Sequence, residues 1–189
     1  MSKPPKDTAI PEFLSSFGRR IGRPLASYQQ ALADQLLPAL SIDVPKGELN
    51  LPALFGRNAT THIEIGFGAG EHLAGRALAQ PDVNFIGCEP FINGVGKLLF
   101  SIDQDHIDNI RLYTDDARFL LKAMPDASVE QIYILFPDPW PKPRHHKRRI
   151  VSMETLDMLA RIQPKGAKLL LATDHEDYKV WMLEHILAH

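Results

Sequence analysis

An α/β fold on a mainly parallel sheet is what this sequence predicts, and three observations predict it. Strand-like and helix-like stretches alternate five times after residue 58. The runs YILF and KLLLA are continuously apolar, as strands buried on both faces must be. Each strand-like stretch finishes on or beside an acid, where ligands of such sheets bind beyond the carboxyl ends of the strands.

The chain of 189 residues is long enough for one domain with a real core, and 44% hydrophobic with 23% charged residues is a globular balance. Its apolar runs stay far below the roughly 18 residues of a membrane span, so no membrane partner is expected. The N-terminus is polar and proline-bearing, unlike a signal peptide. Cys88 is the single cysteine. An intrachain disulfide is therefore excluded and a cytoplasmic protein expected.

Residues 1–58 read as a basic, flexible arm (Arg19, Arg20, Arg23) leading into a short helix over Tyr28–Leu40. Residues 59–189 carry the alternation, and the two parts form one domain. THIEIGFGAG is a strand ending in glycines, followed by the helix EHLAGRALAQ. VNFIGCEP, NIRLYTDDA, SVEQIYILFPDP and GAKLLLATD are the next four strands. Their helices are FINGVGKLLFSID, RFLLKAM, IVSMETLDMLARI and HEDYKVWMLEHIL.

The turn Glu64–Gly70, EIGFGAG, lets backbone approach a ligand and points a helix N-terminus at it. Its glycines Gly66, Gly68 and Gly70 run G-x-G-x-G, with Glu71 where a dinucleotide site would want its third glycine. An acid two residues before Gly66 repels a pyrophosphate and suits a ligand carrying ammonium and sulfonium groups, which favours S-adenosylmethionine over NAD. Glu89, 23 residues after Gly66, stands where an acid accepts from both ribose hydroxyls. Asp116, in TDDA beside Ala117, is placed for an adenine amino group, or as the N-cap of its helix.

Net charge is −2, yet residues 142–149 hold five of the 21 bases and none of the 23 acids. An acidic body with one dense basic block implies local docking of an anion. The block follows a proline-braced turn, FPDPWPKP, that presents Asp138 and Trp140 stiffly. Alignment supplies much of the rate of an in-line transfer. Trp140 either stacks on a base or packs under the loop.

FPDPWPKPRHHKRR, together with EIGFGAG, GCEP, TDDA, ATDHEDY and SFGRRIGRPL, resembles the bacterial tRNA (guanine-N7)-methyltransferase family over roughly residues 15–188. The resemblance implies a Rossmann-like class I methyltransferase sheet. It also implies methyl transfer from S-adenosylmethionine to N7 of the variable-loop guanosine 46 of tRNA, leaving S-adenosylhomocysteine and using no metal. By matching position, Glu64, Glu89 and Asp116 are cofactor acids, and Asp138 is catalytic and also touches the cofactor. Lys142 and Asp174 contact substrate, while Arg144, His145, His146, Lys147, Arg148 and Arg149 form an RNA-binding segment. Asp174 could instead cap the last helix, where His175 would be an ordinary first-turn residue. Five phosphate contacts would give a log–log salt slope of roughly −3 to −4.

Family members continue past the helix after the fifth strand, with two more strands and a T-K-F-E-like motif, whereas this chain ends at LEHILAH. A truncated sheet is therefore expected, with an exposed edge and apolar surface. Rival readings are methylation of another base or a protein target, and a truncated chain that binds cofactor or RNA without turnover. Neither monomer nor homodimer is selected by the sequence.

Overall fold

A computed structural model describes residue 18 and residues 20–189. Of the arm, Arg19 and residues 1–17 lie outside the described residues. The elements follow in the order α1 (Ser27–Leu40), α2 (Leu51–Phe55), β1 (Thr61–Ile65), α3 (Glu71–Ala79), β2 (Asn84–Cys88), α4 (Ile92–Asp105), β3 (Ile110–Tyr113), α5 (Ala117–Ala123), β4 (Gln131–Leu135), a 3-10 helix (Pro143–Arg148), α6 (Met153–Ile162), β5 (Lys168–Ala172) and α7 (Glu176–Ala188). The five strands form a parallel sheet in the order β3-β2-β1-β4-β5. The strand order reverses between β1 and β4, from building outward through β2 and β3 to building the other way, which opens a crevice at the carboxyl ends of these two parallel strands.

Alternation along β1 divides its side chains between two cores. Ile63 and Ile65 point to the face covered by α5, α6 and α7, where Leu120, Leu156, Leu159 and Tyr178 are buried. The opposite face is covered by α1, α3 and α4, packed over Phe85, Ile110 and Leu112. On α4 the buried Val95, Leu98, Leu99 and Ile102 recur at helical spacing, the stripe a surface helix needs. Leu32 and Ala33 of α1 enter the same cluster, so the N-terminal helix shares the core of the sheet.

Two expectations are corrected here. The described part of the arm is anchored: the Ile92 amide donates to the Arg20 carbonyl at 3.0 Å, and Asn93 clamps Gly22 and Arg23 at 2.9 and 2.7 Å. KLLLA is not buried on both faces, because β5 is the edge strand of the described sheet and Leu170 is 47% exposed. Its neighbours Leu169 and Leu171 do pack, on the α5–α7 side. Among the described residues no helix is long and apolar enough to cross a membrane.

Candidate active site

A cavity of about 530 Å³ opens where β1, β2, β3 and β4 end, and residues from all four loops line it. Of the expected cofactor residues, Gly66, Gly68, Glu89, Asp116, Ala117 and Asp138 line this one cavity. Gly66 and Gly68 have φ of 76° and 58°, and a side chain built on either would meet nothing within 4 Å. Backbone conformation therefore requires glycine at both, and the bare turn faces open space.

Glu89 is the best-held group. One carboxylate oxygen accepts from the Gly68 amide and the other from the Phe91 amide, each at 2.9 Å. The acid thus clips the glycine turn of β1 to the start of α4. Gly94 makes that approach possible, since a Cβ there would come within 2.1 Å of the Gly68 carbonyl. Burial pushes the Glu89 carboxyl pKa up, while the two amides pull it down and the nearby Asp138 adds to the rise. With one N–H on each oxygen, the carboxylate keeps capacity for two more donors.

Asp116 caps α5, accepting from the Arg118 amide at 3.1 Å, and its carboxylate also pairs with the Arg118 guanidinium at 2.9 and 2.5 Å. The capping reading of Asp116 is therefore realised, and the residue reaches the cavity as well.

Other expected residues fall elsewhere. Glu64 is not at a strand end: β1 runs on through Ile65, and alternation turns Glu64 under α3, where His72 Nδ1 lies 2.6 Å from its carboxylate. Burial raises the Glu64 pKa and the His72 contact opposes the rise. Gly70 caps α3, and a Cβ there would strike Leu98 at 2.8 Å, so its smallness serves packing between α3 and α4. Asp174 is exposed and does not cap α7, whose N-cap position is His175.

After β4 the chain enters a strained turn. Phe136 and Trp140 have φ of 50° and 44°, in the left-handed region that bulky residues avoid. Each also precedes a proline, and together they bracket the exposed Asp138. Strain held at such positions marks functional turns. Phe136 stands 66% exposed at the cavity wall. Trp140 is half-buried, with His145 edge-on at 5.9 Å and the Arg148 guanidinium 5.0 Å from its ring. Trp140 thus packs against the basic segment and also lines the cavity.

The basic block is a 3-10 helix, not the plain continuation of the loop. Lys142, Arg144 and Lys147 are exposed, His145, His146 and Arg148 half-buried, and Arg149 is buried. Arg149 differs from the rest of the segment expected to face RNA: its side chain is buried and points into the protein. Sequence reading also missed Phe91, Phe136 and Ile150 as cavity walls. The exposed aromatic beside Pro137 was the available signal for Phe136.

Comparison with known proteins bears on the family and the fold. A family model described as "Putative methyltransferase" matches residues 58–189. A tRNA (guanine-N(7)-)-methyltransferase of Rhodospirillum rubrum is 45% identical over 178 residues, covering 92% of this chain and 70% of that protein. The chain belongs to the tRNA (guanine-N7)-methyltransferase family. A Rhizobium meliloti member of this family is 47% identical over 175 residues, covering 92% of the chain and 75% of its own length. Among solved structures, a precorrin-6y C5,15-methyltransferase from Geobacter metallireducens shares the fold, with TM-score 0.57 at 15% identity over 89% of this chain and 75% of that one. An rRNA methylase from Streptococcus thermophilus does so at TM-score 0.53 and 16% identity, over 69% and 70% of the two chains. The alternation of elements predicted the parallel α/β sheet, and the resemblance implied its Rossmann-like class I methyltransferase form; both hold.

Proposed function

We propose that this chain methylates N7 of a guanosine in tRNA, the variable-loop guanosine 46, with S-adenosylmethionine as methyl donor. The observation that carries the reading is one cavity joining the Glu89-clipped glycine turn to the exposed Asp138, with cations immediately beyond it.

The cavity fits the cofactor on its own chemistry. Glu89 is fixed by two amides with acceptor capacity left for a ribose diol. Open space lies over Gly66 and Gly68. Asp115 is paired with Arg20 and Asp116 with Arg118. Among the described residues, Glu89 and the exposed Asp138 are therefore the wall's carboxylates without an arginine partner, and a cationic sulfonium is favoured on their side of the cavity. Bound there, S-adenosylmethionine would supply the electrophilic methyl group.

The chain's own residues do the rest. N7 of guanine already carries an in-plane lone pair, so no residue has to remove a proton from it. Asp138 accepts from the guanine N1–H and amino group, which aims N7 along the transfer axis. Its charge offsets the positive charge that grows on the purine. The exposed ring of Phe136 offers the same base an apolar face. Lys142, Arg144 and Lys147 hold the RNA backbone and outweigh the repulsion between Asp138 and phosphate.

The test is incubation with labelled S-adenosylmethionine and bulk tRNA, followed by nucleoside analysis. 7-Methylguanosine is expected. Another methylated nucleoside would overturn the choice of atom and base, and cofactor and tRNA binding without product would overturn catalysis by this chain.

A further inference from the structure

Arg149 differs from every cation around it. Its side chain is 0% exposed, at the end of a basic segment whose other members reach solvent. Nε donates to the Pro139 carbonyl at 2.8 Å, inside the turn that presents Asp138. Nη2 pairs with the carboxylate of Asp177 in the first turn of α7. The guanidinium lies 4.8 Å from the Tyr178 ring and 4.9 Å from the Trp181 ring, both on α7.

The turn needs such an anchor. Prolines occupy positions 137, 139, 141 and 143, so every second amide is missing and cannot tie the loop to the sheet. Proline stiffens the loop internally but leaves its tilt against the body free. A carbonyl must serve instead, and a planar guanidinium with donors in fixed directions can hold a carbonyl and a carboxylate at once. Asp177 stands three residues beyond Asp174, so the same side chain couples the loop after β4 to the loop after β5.

We propose that Arg149 is a positioning residue, a strut fastening the Asp138 turn to α7 so that the two substrate-facing loops hold one geometry. It does not contact phosphate. The proposal rests on the reading of Asp138 as the group that meets the base.

The experiment uses the full chain with Arg149→Met, Asp177→Ala, the double variant, and Lys147→Met as a comparator facing solvent. Methyl transfer at saturating tRNA, tRNA affinity against salt, and trypsin cleavage at Arg144, a site every variant keeps, are measured on each. Displacement of the turn on the order of 1 Å costs about 100-fold in rate. Arg149→Met and Asp177→Ala should therefore each lower kcat by about 10- to 100-fold. Their tRNA Kd and salt slope should stay those of the wild type, and the double variant should fall no further than the worse single one. Asp177 is 56% exposed, so Asp177→Ala removes no core side chain, and Arg149 keeps its bond to the Pro139 carbonyl and its contacts with Tyr178 and Trp181. Even if Arg149→Met is not folded, a thermal melt shows that Asp177→Ala is. In that variant trypsin cleavage should be several-fold faster, as the loop opens more often. A salt slope shallower by about 0.7–0.9 in Arg149→Met, as in Lys147→Met, would make Arg149 a phosphate contact and overturn the strut. Additive losses, or Asp177→Ala with wild-type kcat and cleavage, would overturn it as well. If the wild type forms no methylated nucleoside, the proposed function fails, and the cleavage rates still decide the strut.

Discussion

Replacing Glu89 with glutamine separates the two duties assigned to that residue. The glutamate serves the Gly68 and Phe91 amides with one oxygen each, both at 2.9 Å. A glutamine oxygen can serve only one, and its NH2 group is set against the other donor. An amide left without an acceptor costs about 1–3 kcal/mol, and the part-buried position argues for about 1–2 kcal/mol. For a chain of this size that lowers Tm by up to about 2–8 °C, offset in part because glutamine buries no charge. Charged acceptors bind donors about twice as strongly as neutral ones. Losing that advantage at two ribose hydroxyls costs about 1–2 kcal/mol, or about 5- to 30-fold in Kd. Thermal melts and calorimetric titration with S-adenosylhomocysteine, which cannot turn over, measure both effects. A lowered Tm with Kd within twofold of wild type would reduce Glu89 to a clip for the glycine turn and refute the ribose assignment. Unchanged values of both would refute the geometry itself.

Other outcomes follow from the same site. Asp138→Asn should keep tRNA affinity within a few-fold and lose most turnover in a single-turnover assay; near wild-type turnover would remove Asp138 from the mechanism. With Arg149 turned inward and Arg148 lying over Trp140, Lys142, Arg144 and Lys147 remain for phosphate, so a salt titration of tRNA binding should give a log–log slope of about −2 to −3. Burial raises the Glu89 carboxyl pKa, so the folded protein takes up this proton above the usual carboxylate range. Cofactor affinity should fall as pH drops through that raised value, and Glu89→Gln should flatten the dependence in titrations at stepped pH. The stability effect has the opposite sign, because protonation relieves the cost of burying the charge. Phe136→Ala should raise the tRNA KM more than it changes cofactor Kd in steady-state kinetics, since the exposed ring faces the substrate side of the cavity.

The turn around Asp138 shows how strain and stiffness divide the work. Two aromatic residues with positive φ sit next to prolines that fix the following φ, so the loop has few alternative shapes once folded. Pre-organisation of this kind suits a carboxylate that must meet a planar base at a set angle.

Local chemistry made much of this protein readable from its residues alone. Alternating apolar runs announced the parallel sheet, and the glycine turn, Glu89 and the proline turn around Asp138 announced residues that meet at one cavity. Each signal depends on residues close along the chain, through backbone conformation or period. What sequence could not decide is which way a side chain faces once distant elements meet. Glu64 turns under α3 to His72 because β1 extends one residue further than its acid suggests. Gly70 serves Leu98 on a helix 28 residues away. KLLLA becomes a half-exposed edge because its neighbourhood in the sheet, not its composition, sets its burial. Arg149 looks identical to Arg148 in sequence, yet one lies over Trp140 and the other disappears between the Asp138 turn and α7. Only the packing of α7 against that turn supplies the carboxylate and the aromatic rings that draw a cation inward.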